Sequence, residues 1–76
     1  MFIHMKVERE ELKSIILEEI DNNNLWINEI HRRLIRRGID CSLTTVWNIV
    51  NELKEEGLVT IERVGNVSLV RRRENA

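Results

Sequence analysis

The residues best equipped to recognise another molecule fall in two short runs. Arg32, Arg33, Arg36 and Arg37 form the first, and Thr44, Thr45, Trp47, Asn48 and Asn51 the second. Guanidinium groups hold phosphate oxygens through charge-assisted, often bidentate hydrogen bonds. An asparagine amide can pair bidentately with adenine, and threonine offers a hydroxyl to bases or phosphates and a methyl to thymine. The first run therefore suits a sugar-phosphate backbone, and the second suits base edges. Solvated faces of ordinary helices carry similar residues, so the pattern gains meaning only from the elements that hold it.

Other chemistries are poorly supplied. Catalysis needs a nucleophile with its base, paired carboxylates in a cleft, or a metal. His4, His31 and Cys41 are the only soft-ligand candidates, and their spacing matches no zinc pattern. No glycine-rich phosphate loop occurs. No enzyme, metal site or cofactor is expected. His31 should flank an apolar helix stripe, and Cys41 should pack in a turn as a small hydrophobe.

The positioning elements follow from periodicity and punctuation. From about Glu8 to Asp21, Leu12, Ile15, Ile16 and Ile20 recur at helical spacing, and Glu8, Glu10 and Glu11 suit the positive end of that helix. Asn22-Asn23-Asn24 ends it. Leu25-Trp26-Ile27 reads as a strand-like link, and Asn28 as the cap of a second helix that stops at Gly38. Ser42 caps a third helix reaching about Glu56, with Gly57 after it. On a helical wheel, Leu43, Val46, Ile49, Val50 and Leu53 share one side. Thr44, Asn48, Asn51 and Glu55 share the other, with Thr45 and Trp47 on the flanks.

The period then changes. Leu58 to Arg63 and Val67 to Arg71 are rich in β-branched residues, and Gly65-Asn66 between them signals a tight turn. A two-residue turn sets Ile61 opposite Val70; a three-residue loop sets it opposite Leu69. The second register gives the cleaner apolar face (Val59, Ile61, Val67, Leu69), but both remain open. Ile3, Met5 and Val7 alternate, so residues 1–7 form a strand or an arm.

With 76 residues the chain fits one domain near the lower limit for a self-sufficient core. A single cysteine precludes an intrachain disulfide and points to a reducing compartment. No apolar run is long enough to span a membrane, and the first residues lack the pattern of a secretory signal, so a cytoplasmic location is expected. The net charge of −1 argues against a nucleic-acid partner, but its distribution is uneven. Residues 1–24 sum to −3 and residues 25–76 to +2. A basic face can steer DNA even in a nearly neutral chain.

Residues 25–70 resemble a winged-helix DNA-binding domain. The likeness rests on Ile30-x3-Leu34-x3-Gly38-Ile39, on Ser42-Leu43-Thr44-Thr45-Val46-Trp47, and on Leu53-x3-Gly57-Leu58-Val59. Leu43 to Asn48 is similar to the Leu-x-Thr-Val-Tyr-Arg signature of the ferric uptake regulator family, and to the reader helices of small bacterial and archaeal repressors. The resemblance implies an α+β fold, a winged helix-turn-helix with three helices followed by a two-stranded β-hairpin wing. It also places Trp47 and Asn48 where those proteins set tyrosine and arginine against DNA; asparagine lacks the charge of that arginine, and Trp47 can equally be a packing residue. That family's metal-sensing domain has no counterpart in these residues, so metal regulation is not carried over.

The expectation is a small transcriptional regulator, repressor or activator, with residues 1–76 as one domain binding double-stranded DNA. Thr44, Thr45, Trp47, Asn48 and Asn51 read bases from the major groove. Arg32, Arg33, Arg36, Ser42, Arg63 and Arg71 contact phosphates, with the wing on the backbone or minor groove. Residues 72–76 are either a basic tail or the end of the wing. Leu17, off the main stripe of the first helix, and Phe2, Ile3 and Met5 suggest a homodimer through the first helix and N-terminal segment; a monomer is the alternative. The rival function is a winged-helix protein-interaction module without DNA binding, favoured by the near-neutral charge and the acidic first helix.

Overall fold

A computed structural model describes residues 7–21 and 23–73. Its elements are α1 (Arg9–Asp21), β1 (Leu25–Trp26), α2 (Ile27–Arg36), α3 (Leu43–Glu55), β2 (Val59–Val64) and β3 (Val67–Arg72). The strands form one antiparallel sheet in the order β1-β3-β2. Three helices precede a hairpin, as the resemblance implied. Among the described residues, no helix is long and apolar enough to cross a membrane.

Each helix contributes one apolar stripe to a shared core. Leu12, Ile16 and Ile20 of α1 meet Ile27, Ile30 and Leu34 of α2 and Val46, Ile49, Val50 and Leu53 of α3. Leu25, Val59 and Val70 close that core from the sheet. Leu17 does not stand apart as the wheel suggested: it is half-buried and packed against this cluster. The Phe2, Ile3 and Met5 part of the expected subunit contact, and the arm that would carry it, lie outside the described residues; Val7 is in neither helix nor strand.

Both α2 and α3 end in the same local device. Gly38 has φ 82°; its N–H donates to the Ile35 carbonyl (2.9 Å) and the Ile39 N–H to Leu34 (3.0 Å). Gly57 has φ 78°, with Gly57 N–H to Lys54 and Leu58 N–H to Leu53, both at 3.0 Å. This Schellman pattern satisfies terminal carbonyls and needs a residue without a Cβ penalty in the left-handed region. At the other end of α3, Ser42 Oγ accepts the Thr45 N–H at 3.1 Å, as a cap should.

Asn28 is not the cap of α2. The helix begins one residue before it, at Ile27, behind an extended Trp26 that provides no side-chain cap. The reason is tertiary. Pairing of Leu25 with Val70 delivers the chain directly into the helix, and Ile27 must turn into the core at once.

The hairpin takes the two-residue turn, with Ile61 opposite Val70 and Val64 opposite Val67. Gly65 has φ 62° and Asn66 does not share its positive sign, the pattern of a type II′ turn. The cleaner apolar face of the other register is therefore not used. Val59, Ile61 and Val70 face the core, while Val67 and Leu69 turn outward, where Trp26 pairs with Leu69. Arg71 and Arg72 both belong to β3, and the Arg73 N–H donates to the Leu58 carbonyl at 3.0 Å. A tail beginning at Arg72 is thus ruled out.

Candidate nucleic-acid interface

The solvent face of α3 is built from its first three turns. Thr44, Asn48 and Asn51 are exposed, while Thr45 and Trp47 are half-buried on the flanks. Val46, Ile49, Val50 and Leu53, fully buried behind them, fix the rotation of the helix. No acidic residue occurs in its first turn. The Thr45 hydroxyl lies 3.0 Å from that of Ser42, so part of the hydrogen-bonding capacity of both is used at the cap.

Acids appear only further along α3, where α1 pairs with Glu52 and with Glu56 at the helix cap, while Glu55 is exposed with no ion pair among the described residues. Arg9 donates to Glu52 through Nε at 3.0 Å and Nη2 at 2.7 Å. Lys13 lies 2.7 Å from Glu56 and 3.4 Å from Glu52. The hydrogen bonds from Arg9 hold the Glu52 carboxyl below the usual glutamate range, against a smaller opposing effect of desolvation. The bond to Glu56 raises Lys13, whose stem is buried while its ammonium reaches the surface carboxylates.

The arginines of α2 divide into two pairs. Arg33 Nη1 is 3.1 Å and Arg37 Nη2 2.6 Å from Glu19, a carboxylate whose side chain is only 12% exposed. This grip joins α2 to α1. Arg32 and Arg36, by contrast, have side chains 69% and 70% exposed and only long approaches to Glu29, at 3.8 and 3.6 Å. Of the two pairs, this second one is available to an outside anion.

On the hairpin, Arg63 is exposed beside the turn and donates to the Gly65 carbonyl at 3.4 Å, with no ion pair among the described residues. Arg71 pairs with Glu62 at 2.9 Å across the outer face of the sheet, and Arg72 with Asp21 at 3.0 Å. The structure therefore brings the five α3 residues together with Ser42. It sets Arg32 and Arg36 on the preceding helix and Arg63 near the hairpin tip, while engaging Arg33 and Arg71 in ion pairs of the protein itself.

His31 Nε2 lies 2.9 Å from the Cys41 carbonyl, a contact in which the imidazole must donate. It ties α2 to the turn before α3 and so sets the spacing of the two helices. Burial, with the Asp40 charge adding to it, pushes the Cys41 thiol up, away from the thiolate that nucleophilic or metal chemistry needs. Among the described residues no three His, Cys, Asp or Glu side chains gather as a metal site.

One feature escaped the sequence reading. A pocket of about 130 Å³ opens between Trp47 of α3, the start of α2 at Ile27 and Asn28, and the hairpin turn at Asn66. Trp26, Val67 and Ser68 complete its wall. No periodicity links residues so far apart in the chain. The available hint was the presence of two tryptophans in a chain with only one other aromatic residue, Phe2.

A model described as the ferric uptake regulator family matches residues 3–72. The ferric uptake regulation protein of Escherichia coli (strain K12) is 33% identical over 57 residues, covering 74% of this chain and 38% of that protein. The Klebsiella pneumoniae protein of the same name is 33% identical over 57 residues and covered to 37%. For the Shigella flexneri protein, the identity is 33% over 45 residues, covering 59% of the chain and 30% of the relative. The chain thus matches well under half the length of these curated relatives.

Proposed function

The chain belongs to the ferric uptake regulator family, and from that premise we propose that it binds double-stranded DNA as a sequence-dependent transcriptional repressor in the cytoplasm. One observation carries the reading: an exposed, acid-free first half of α3, with Glu52 and Glu56 further along paired to α1. Such a surface enters the major groove without repelling phosphates. Asn48 and Asn51 hydrogen-bond base edges, Thr44 and Thr45 contact bases through hydroxyl or methyl, and Trp47 borders them.

Arg32 and Arg36 exchange their long contacts with Glu29 for phosphate oxygens and set the register on the duplex. Ser42 and Arg63 add phosphate contacts at the two ends of the interface. Arg71 joins them only by giving up Glu62, and Arg33 acts chiefly by holding α2 in place through Glu19. Two copies meet a two-fold operator as a homodimer through α1 and the N-terminal segment. Its test is molecular mass in solution, where a strict monomer on and off DNA defeats the dimer.

Binding to random and selected duplexes across a salt series tests the proposal. Wild-type log affinity should fall steeply against log salt. Arg36→Ala should weaken binding to every duplex and reduce the slope by about 0.9. Asn48→Ala should instead lose about 1–3 kcal/mol of base discrimination at one position. No detectable binding at low salt would overturn the reading and favour a protein-interaction module. Identical behaviour of the two variants would mean that the helix roles are wrongly assigned.

A further inference from the structure

The pocket between α3, the start of α2 and the hairpin turn has no role in base reading, yet it lies between the two elements that reach for the duplex. Major and minor grooves are separated by a strand's own backbone. A helix in one groove and a hairpin at the other must therefore let that backbone pass between them. Here the passage is walled by Trp47 on one side and by Asn66 and Val67 on the other, with Trp26 and Asn28 nearby.

The chemistry of the wall suits that occupant. Indole N–H and the amide groups of Asn28 and Asn66 are neutral donors for phosphate oxygens, and Ser68 adds a hydroxyl. The two indole rings, Ile27 and Val67 offer apolar surface to a deoxyribose. No carboxylate lines the pocket among the described residues. Val67, turned to the outer face by the two-residue register, is one of the residues that line it.

We propose that this pocket seats one sugar-phosphate unit of the DNA strand as it crosses between α3 and the wing. Trp26, Asn28 and Asn66 are then backbone-binding residues, and Trp47 packs on the sugar as well as bordering the bases. The inference rests on the DNA-binding reading and adds a neutral contact to its cationic ones. Neutral donors release no counterions, so this contact differs from those of Arg32 and Arg36 in its salt signature.

The two indoles of the pocket are the only two in the chain, which makes fluorescence a direct probe. In Trp47→Phe, Trp26 is the sole reporter, and it lies outside the base-reading helix. Titration with labelled duplex should change Trp26 emission and shield it from iodide, with the same midpoint as duplex anisotropy. Anisotropy that reports binding while emission and iodide quenching stay fixed would overturn the proposal. A second measurement covers a variant that fails to bind. Asn28→Ala and Asn66→Ala should each weaken all duplexes by roughly three- to tenfold, with salt slope and base preference unchanged. Unaltered affinity in both, while Asn48→Ala still relaxes preference, would remove the pocket from the interface and leave α3 in its groove. Absence of any wild-type binding would instead defeat the DNA reading itself.

Discussion

The two halves of α3 treat their polar residues in opposite ways. In the first, Thr44 and Asn48 face solvent, as does Asn51 just beyond; in the second, Glu52, and Glu56 at the cap, are held by Arg9 and Lys13 of α1. The difference shows how a chain of net charge −1 can present a surface acceptable to a polyanion. Glu52 and Glu56 are compensated within the fold, so the average charge says little about the local one. It also separates two duties on one helix. Its C-terminal half is fastened to α1, and its N-terminal half stays exposed for the recognition proposed above.

Removing what both halves share should have the largest effect. Leu53, fully buried beneath α3, should cost about 3 kcal/mol when changed to alanine. For a domain of this size that is a large part of total stability, and thermal melting should drop by more than about 10 °C. A midpoint within about 3 °C of wild type would mean that the helix is not anchored as described.

Breaking the cap of the recognition half comes next. Ser42→Ala should lose about 1 kcal/mol, because the Thr45 N–H loses its acceptor. Asn48→Ala on the same half should leave stability within about 0.5 kcal/mol of wild type. A similar stability loss in both would show that Asn48 serves the fold rather than recognition.

The clamp of the other half should give a smaller change still. Glu52→Gln removes the charged partner of Arg9, and its modest loss in melting temperature should shrink further in high salt. Base preference should stay unchanged, and a relaxed preference would blur the division between the halves.

Titration sharpens the same contrast at the lowest amplitude. Glu52 is depressed by Arg9 in the folded state, so its contribution is present above the ordinary glutamate range and lost as pH falls through the lowered value. Lys13 is raised, so its contribution is complete below the ordinary lysine range and lost as pH climbs through the raised value. Melting midpoints followed into acid should decline less in Glu52→Gln than in wild type. Parallel declines would mean that Glu52 carries no such linkage.

Much of the fold was legible because it is written in local chemistry. The stripe of Leu12, Ile16 and Ile20, the Ser42 cap, and Gly38 and Gly57 at the helix ends all act within a few residues, and each is found where it was expected. The exposed set on α3 followed from the same wheel that buried Val46, Ile49 and Leu53. Asn28 failed as a cap because a distant strand, not its own neighbours, determined where the chain entered α2. Arg32, Arg33 and Arg36 had one expected role in the sequence, and Glu19, which packs from another helix, set Arg33 apart from the other two.

The order of elements, the glycine ends of α2 and α3, the Ser42 start of α3 and its exposed polar face were thus determined by the residues themselves, since periodicity, capping and left-handed glycine act along a single stretch of backbone. Only the tertiary structure decided the hairpin register, the pairing of Glu52 and Glu56 with α1, and the pocket between Trp47 and Asn66. Each of these joins groups that are distant in sequence or have more than one available partner. Among such partners, the packing of the whole core selects.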